Sequence, residues 1–371
     1  MMSSESGNFY PIGLPTFWTG NFIPDEALKA RRYYFVRVKT RFYVKENHLP
    51  FIQIKGSHLY KGTESLSSSD VYDRKTNEYY DHYYDSNGVL RDTRVELTLT
   101  MTDYQLLKDH YELVDFEILD GCYFSATIGL FDDYIEKYKK LKIESTGALR
   151  QLAKLFLNNL YGKMASNKDS SFKVAYLKED GSVGYYPVSE AKKKAGYIPI
   201  GSAITSYARN FTIRAAQMNY HGVNKPGFIY ADTDSIHCDI PPEHVKGIKV
   251  HDKNFCCWKL ESCWDKAIFV RQKTYIERVT HEDLKPVDKY YNVKCAGMPQ
   301  KCKDLFIESM SNPPLKEQGN RTKEEYKFLQ KQRSLKDFKV GLIVPGKLRP
   351  VNIYGGTLLV DTTYEMRPSF Y

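Results

Sequence analysis

Asp232 and Asp234 stand one residue apart in the stretch FIYADTDSIH, which runs from Phe228 to His237. Phe228, Ile229 and Tyr230 read as a strand that Ile236 resumes, so the two carboxylates fall at the tip of a hairpin. Alternate positions of a strand share a face, and both side chains can lean to one side. Two hard oxygen donors suit Mg²⁺ when a substrate phosphate completes its shell. The same pair also suits a solvated Asp-rich turn, and the spacing alone leaves both open.

A second constellation lies upstream. Arg150, Lys154, Asn158 and Tyr161 are separated by four, four and three residues. At helical pitch they fall within roughly 80° of one another, a single stripe. Leu149, Leu152, Phe156 and Leu160 make an overlapping apolar face. Two cations, an amide and a phenol suit a nucleotide, the cations meeting phosphates and the ring meeting sugar or base. An exposed amphipathic face carries such residues too. Gly162, directly after Tyr161, lets the backbone turn sharply or approach a ligand closely. In RQKTYI, Lys273 and Tyr275 are i and i+2 of an expected strand, on one face, fit to hold a phosphate and a sugar or to form a surface pair. Thr205 and Arg209 are one helical turn apart, a spacing that suits a backbone phosphate and many plain surface helices.

These residues need elements to carry them. Residues 1 to about 129 read as β-rich: YYFVRVKTRFYV (Tyr33 to Val44) partly alternates apolar and basic residues, and PFIQIK (Pro50 to Lys55) and RVELTLTMT (Arg94 to Thr102) follow suit. The polar stretch from 62 to 88 reads as an exposed loop or a strand pair. GLFDDYIEKYKKLKIES and TGALRQLAKLFLNNLYGKMAS are helical, broken at Gly147 and ending near Gly162. A hairpin is expected to turn at Asp180-Gly181, and a helix to cover Ala203 to Tyr220. AIFVRQKTYIERV reads as a strand, TKEEYKFLQKQRS as a helix, and GGTLLVDTT as part of a closing strand pair. No internal repeat is visible.

The 371 residues suffice for a sizeable core and two to four subdomains. Aromatic residues reach 14%, and the formal net charge of +9 favours an anionic partner, nucleic acid first. Seven cysteines lie scattered without a Cys-x-x-Cys pair or a zinc-like cluster, which suits a reducing compartment. The start, MMSSESGNFYP, lacks the plan of a signal peptide, and no apolar run approaches the roughly 18 residues that span a bilayer. The expectation is a soluble protein of the cytoplasm, with no membrane partner.

YADTDS (Tyr230 to Ser235), KLFLNNLYG (Lys154 to Gly162) and KTY (Lys273 to Tyr275) together resemble family B DNA polymerases, and among them the protein-primed branch of bacteriophages and linear plasmids. The likeness covers nearly the whole chain and includes IQIKGSHLYKG, GLFDDYI, ITSYAR, KCAGM and FKVG. It implies an α+β fold of right-hand architecture: an antiparallel β palm, helical fingers, a small thumb and β-rich insertions. By that likeness, 1–129 holds the palm edge with a priming-protein-binding insertion (about 14–125), 130–165 the fingers and 166–198 a hairpin for processivity and strand displacement. The palm proper would cover 199–295 and the thumb 296–371.

The resemblance also implies roles. Asp232 and Asp234 would hold two Mg²⁺ ions, for which Mn²⁺ can substitute, with Asp234 the direct ligand. Lys154 would hold the triphosphate of the incoming deoxynucleotide, Asn158 and Tyr161 would check the nascent pair, and Tyr230 would lie beside the nucleotide. Lys137, Lys142 and Arg150 match basic fingers positions on the nucleotide's path. Lys273 and Tyr275 would contact the primer strand, Thr205 and Arg209 the template, and Gly162 would lie against DNA. Primer–template DNA, deoxynucleoside triphosphates and a terminal priming protein are the implied partners.

Two departures stand out. Asn159 replaces the family's usual Ser. The family's further metal-binding Asp, in an Asp-x-x-Ser-Leu-Tyr-Pro strand, is not found, nor are the Asp-x-Glu signatures of its proofreading exonuclease. The expectation is a C-terminal polymerase portion without an exonuclease domain. It would be weakly active or inactive alone and would need an N-terminal exonuclease/palm polypeptide. Competing readings are a catalytically inactive DNA-binding remnant and a sugar-nucleotide transferase using Asp-x-Asp.

Overall fold

Regular alternation decides the first unit. In the strand Arg32–Val44 the buried side chains Val36, Val38, Thr40 and Phe42 recur every second residue, while Arg37, Lys39 and Arg41 take the other face. The computed structural model describes residues 1–52, 71–73, 78–80, 82–84, 87–92, 94–167, 171–189, 194–251, 254–311 and 316–368; residues 71–73, 78–80, 82–84, 91 and 92 are described by their backbone alone. Two compact units result, one of Met1–Lys168 with Lys194–Lys259, the other of Asp169–Lys193 with Leu260–Tyr371. The fold is α+β.

In the first unit Arg32–Val44 pairs antiparallel with Val95–Thr100 on one side and with the long strand Tyr111–Thr127 on the other; Tyr10–Thr19 extends the sheet beyond Tyr111–Thr127. Trp18 crosses onto Gly121, where a Cβ would sit 2.3 Å from its ring, so only glycine fits. Trp18, Val36, Val38, Phe42, Leu107 and Tyr111 form one core; Tyr10, Tyr33, Ala126, Ile200, Ala203 and Ile204 form a second, against the helix Ile198–Met218. In the second unit the strands Ser262–Arg271, Thr274–Glu282 and Lys285–Cys295 form an antiparallel meander. It packs with the helices Gln300–Ser311 and Lys323–Leu329 and the hairpin Ile343–Ile353/Gly356–Glu365 around Ile276, Phe306, Phe338 and Val344. The hairpin Ser171–Leu177/Val183–Ser189 belongs to this unit and turns at Asp180-Gly181 as expected.

Several elements differ from expectation. AIFVRQKTYIERV is not one strand: it folds back at Gln272-Lys273, with Arg271 paired to Thr274. RVELTLTMT ends its strand at Thr100, whose hydroxyl accepts the Asp103 N–H (3.1 Å) and starts the helix Met101–His110. That helix and Gln300–Ser311 escaped the sequence. The helix Gly147–Met164 passes straight through Gly162 without a turn. Pro50, Phe51 and Ile52 are not in a strand, and the rest of PFIQIK, with most of IQIKGSHLYKG, lies outside the described residues. Between 62 and 88 the described backbone contains short strands, Val71–Asp73 with Glu78–Tyr80, and His82–Tyr84 with Leu90–Asp92.

Candidate functional site

The hairpin strand Phe228–Asp232 pairs with Ser235–Cys238, with Asp232 opposite Ser235. Thr233 and Asp234 make the turn, and Thr233 takes a left-handed φ of 54°. Its carbonyl accepts the Thr212 hydroxyl (2.9 Å), so the Ile198–Met218 helix anchors the tip from below. Asp232 is half-buried; its carboxylate accepts the Thr233 hydroxyl (3.0 Å) and the Tyr230 phenol (3.3 Å). Asp234 is exposed, its N–H donating to the Asp232 carbonyl (2.6 Å), and among the described residues its carboxylate takes no hydrogen bond or ion pair. One carboxylate is therefore oriented by neighbours and the other left available. Cys238 nearby is no rival donor: burial, then the Asp239 carboxylate, push its thiol up to about 11, so it stays protonated.

The donor chemistry, two adjoining hard carboxylates with one free, fits a magnesium ion whose remaining ligands come from elsewhere. Among the described residues no group of three or more His, Cys, Asp or Glu is arranged to hold a metal.

The helices Asp132–Glu144 and Gly147–Met164 pack as a pair. Tyr138 stacks on Phe156 (ring centroids 4.7 Å apart, 20° between planes), and the Tyr134 hydroxyl donates to the Phe156 carbonyl (3.0 Å), which fixes one helix on the other. At their base the Ser4 N–H donates to Asp132 (2.9 Å), and Lys139 pairs with Glu5 (3.0 Å) while lying over the Phe255 ring. This pairing gathers Lys142, Arg150 and Lys154. Burial, then the Lys154 and Arg150 charges, hold the Lys142 ammonium below its usual range. None of the three has an ion-pair partner among the described residues. Three cations with no counter-charge make a site for a polyanion. Lys137 lies over the Tyr138 ring at 5.5 Å. Asn158, Tyr161 and Gly162 are exposed, and nothing lies within 4 Å of a Cβ built on Gly162, so the helix offers a ligand a smooth approach there.

Thr205 and Arg209 are already engaged. The Thr205 hydroxyl donates to its own helix at Ser202 O (2.9 Å), and Arg209 Nη1 donates to Asp103 (2.5 Å). In the second unit Lys273 occupies the hairpin turn with φ 53°, not a strand face shared with Tyr275. Its carbonyl accepts the Ala296 N–H (3.0 Å), and Tyr275 stacks on Phe269 at 5.1 Å. Asp103 is the residue that sequence reasoning missed; its one signal was the Thr100-x-x-Asp103 cap.

A two-stranded hairpin bearing two carboxylates and a helix pair presenting unpaired cations lie in the same unit, beside the four-stranded antiparallel sheet of that unit. The family model for DNA polymerase type B, organellar and viral, matches residues 6–249, and the chain belongs to that family. It is 36% identical to the DNA polymerase of Bacillus phage phi29 over 96% of its own length, and 32% identical to that of Streptococcus phage Cp-1 over 98%. The chain spans about half the length of these relatives, 54% of each. The solved structure of phi29 DNA polymerase complexed with primer-template DNA and incoming nucleotide substrates matches 99% of this chain and 55% of that one, with a TM-score of 0.73 at 35% identity. Among the described residues no helix is long and apolar enough to cross a membrane.

Proposed function

We propose that the chain is the C-terminal polymerase portion of a protein-primed, template-directed DNA polymerase. It adds deoxynucleotides from their triphosphates to a primer 3′-hydroxyl. The observation that carries this is the uncompensated cation cluster Lys142, Arg150 and Lys154 on the fingers helices. In the same unit lies the exposed, unpaired Asp234. Residues 132–164 act as fingers: Lys154 and Arg150 take the triphosphate, Lys142 meets it on the way in, and Asn158 and Tyr161 face the new pair. Asp234 and Asp232 hold magnesium, with Tyr230 and Thr233 keeping Asp232 in place. Magnesium bound there would favour ionisation of the 3′-hydroxyl and neutralise the departing pyrophosphate, the chemistry of a two-ion site. Lys273 and Tyr275 grip the primer strand, and Thr205 and Arg209 the template. The 171–189 hairpin serves processivity, and the insertion within 14–125 meets a terminal protein.

Two carboxylates leave a two-ion site short of a ligand, so we propose that a further Asp comes from an N-terminal exonuclease/palm polypeptide. Primer extension with and without the polypeptide encoded immediately upstream tests this. The expected result is DNA binding by the chain alone, which weakens steeply with salt, and extension only with the partner. Robust magnesium-dependent extension by the chain alone would refute the need for a partner. Binding with no extension under any complementation would leave a DNA-binding remnant.

A further inference from the structure

Arg209 is not a free surface cation. Asp103, in the first turn of the Met101–His110 helix, is 8% exposed. One of its carboxylate oxygens accepts both the Ser206 hydroxyl (2.9 Å) and Arg209 Nη1 (2.5 Å), from a helix more than 100 residues away in sequence. The other oxygen is buried with no hydrogen-bond partner. A carboxylate this buried needs its cation, yet the Arg209 side chain stays 40% exposed. One of its five N–H donors is committed to Asp103, and the others take no partner among the described residues. The same helix is tied again further on, by Arg214 to Asp109 (2.7 Å) and by Gln217 to Asn47 O (2.9 Å) and Leu49 N (2.8 Å). The Met101–His110 helix is thereby fixed in register on the one that carries Arg209.

We infer that Asp103 is a positioning residue for DNA binding: it pre-orients the Arg209 guanidinium so that its remaining N–H groups meet a backbone phosphate. This rests on the polymerase reading, in which Arg209 contacts the template. A guanidinium already held at one edge gives up less side-chain freedom on meeting a phosphate than a loose one. Against this, the Asp103 charge opposes the phosphate's approach. The sign of the Asp103→Asn effect decides which prevails.

The test is a double-mutant cycle on the full chain, read as primer–template affinity by fluorescence anisotropy across a salt series. Asp103→Asn keeps the shape and removes the charge; we expect about tenfold weaker binding, the scale of a charge-assisted hydrogen bond. The slope of log affinity against log salt should fall by about 0.9, one phosphate contact. Arg209→Ala should do the same, and the double variant should be no worse than Arg209→Ala alone. Ser206→Ala, which loosens the same contact without touching the ion pair, should stay within about twofold of wild type. Tighter binding by Asp103→Asn, or additive losses in the double variant, would overturn the positioning role while leaving Arg209 as a contact. If Arg209→Ala binds like wild type, both Arg209's contact and Asp103's role fall. Should Asp103→Asn not fold, Arg209→Lys keeps a charge for Asp103 but loses the planar fork. Wild-type affinity in that variant overturns the inference, and a comparable loss supports it.

Discussion

The tips of two hairpins in the second unit clasp at Gly181, where the cost of a side chain can be worked out. Gly181 sits at φ +75°, and its carbonyl accepts the Gly355 N–H at 2.6 Å. A Cβ there would lie 1.7 Å from Tyr354 Cδ2 and 2.7 Å from its Cγ. Ring and methyl cannot coexist. Tyr354 is 85% exposed, so it can swing into solvent with little loss of packing. Two costs then dominate: the left-handed backbone, about 1–2 kcal/mol for a residue with a Cβ, and the hydrogen bond from the neighbouring Gly355, about 0.5–1.5 kcal/mol. Since that bond is the main attraction of the clasp, Gly181→Val should open it, while melting of the unit's core around Phe306 stays within about 1 kcal/mol, as for surface changes. Hydrogen exchange at the Gly355 amide is the assay. Protection there is expected to be modest in the wild type, about tenfold or less, and absent in the variant. Spin labels at Glu179 and Asn352 should report a longer, broader distance. Truncating the ring first isolates the steric part: in a Tyr354→Ala background Gly181→Ala should cost only the backbone strain. Unchanged Gly355 exchange in Gly181→Val would refute the clasp.

Lys154→Met should weaken nucleoside triphosphate binding by about tenfold or more, the loss of one charge-assisted contact, and leave DNA affinity within about twofold. The Lys142 titration followed by NMR of methylated lysines should rise, because the Lys154 charge helps to depress it; equal loss of nucleotide and DNA would instead mark a structural role. Asp234→Asn should abolish Mn²⁺ binding at the hairpin as read by electron paramagnetic resonance, whereas retained binding would remove Asp234 as a ligand. His110 is buried, with Nδ1 bound to the Leu49 carbonyl; burial chiefly, with His48 and Arg214, holds its pKa below 6.5 against the raising effects of that carbonyl and Asp109. The unfolded chain therefore takes the proton first as pH falls. Stability should be intact above about pH 6.5 and decline below it by up to about 1.4 kcal/mol per pH unit. A His110→Asn chain with the same pH slope would exclude this group as the cause.

What the sequence disclosed follows from how local each feature is. The Asp232–Asp234 hairpin was legible because strand, turn and carboxylates lie within ten residues. The stripe Arg150, Lys154, Asn158 was legible because helical periodicity is itself local. That Lys142 joins Arg150 and Lys154 depends on how two helices pack, which no spacing states; the resemblance supplied it. The Asp103–Arg209 pair joins two helices far apart in sequence, and one of them is hidden: RVELTLTMT reads as a strand through Thr102, and Asp103 falls just beyond it with no pattern to mark it. Lys273 was misplaced for another reason: a two-residue turn usually announces itself with Asn-Gly, and Gln-Lys does not.

That turn at Lys273 has a consequence for protein engineering. By backbone criteria position 273 calls for Gly or Asn, and either would relieve about 1 kcal/mol of left-handed strain. A campaign that ranks variants by melting temperature will therefore favour replacing this lysine. It will also strip a positive charge from the hairpin proposed to hold the primer strand. Thermal tolerance and grip on the growing end are set against each other at one residue, and screening for either property alone will carry the protein away from the other.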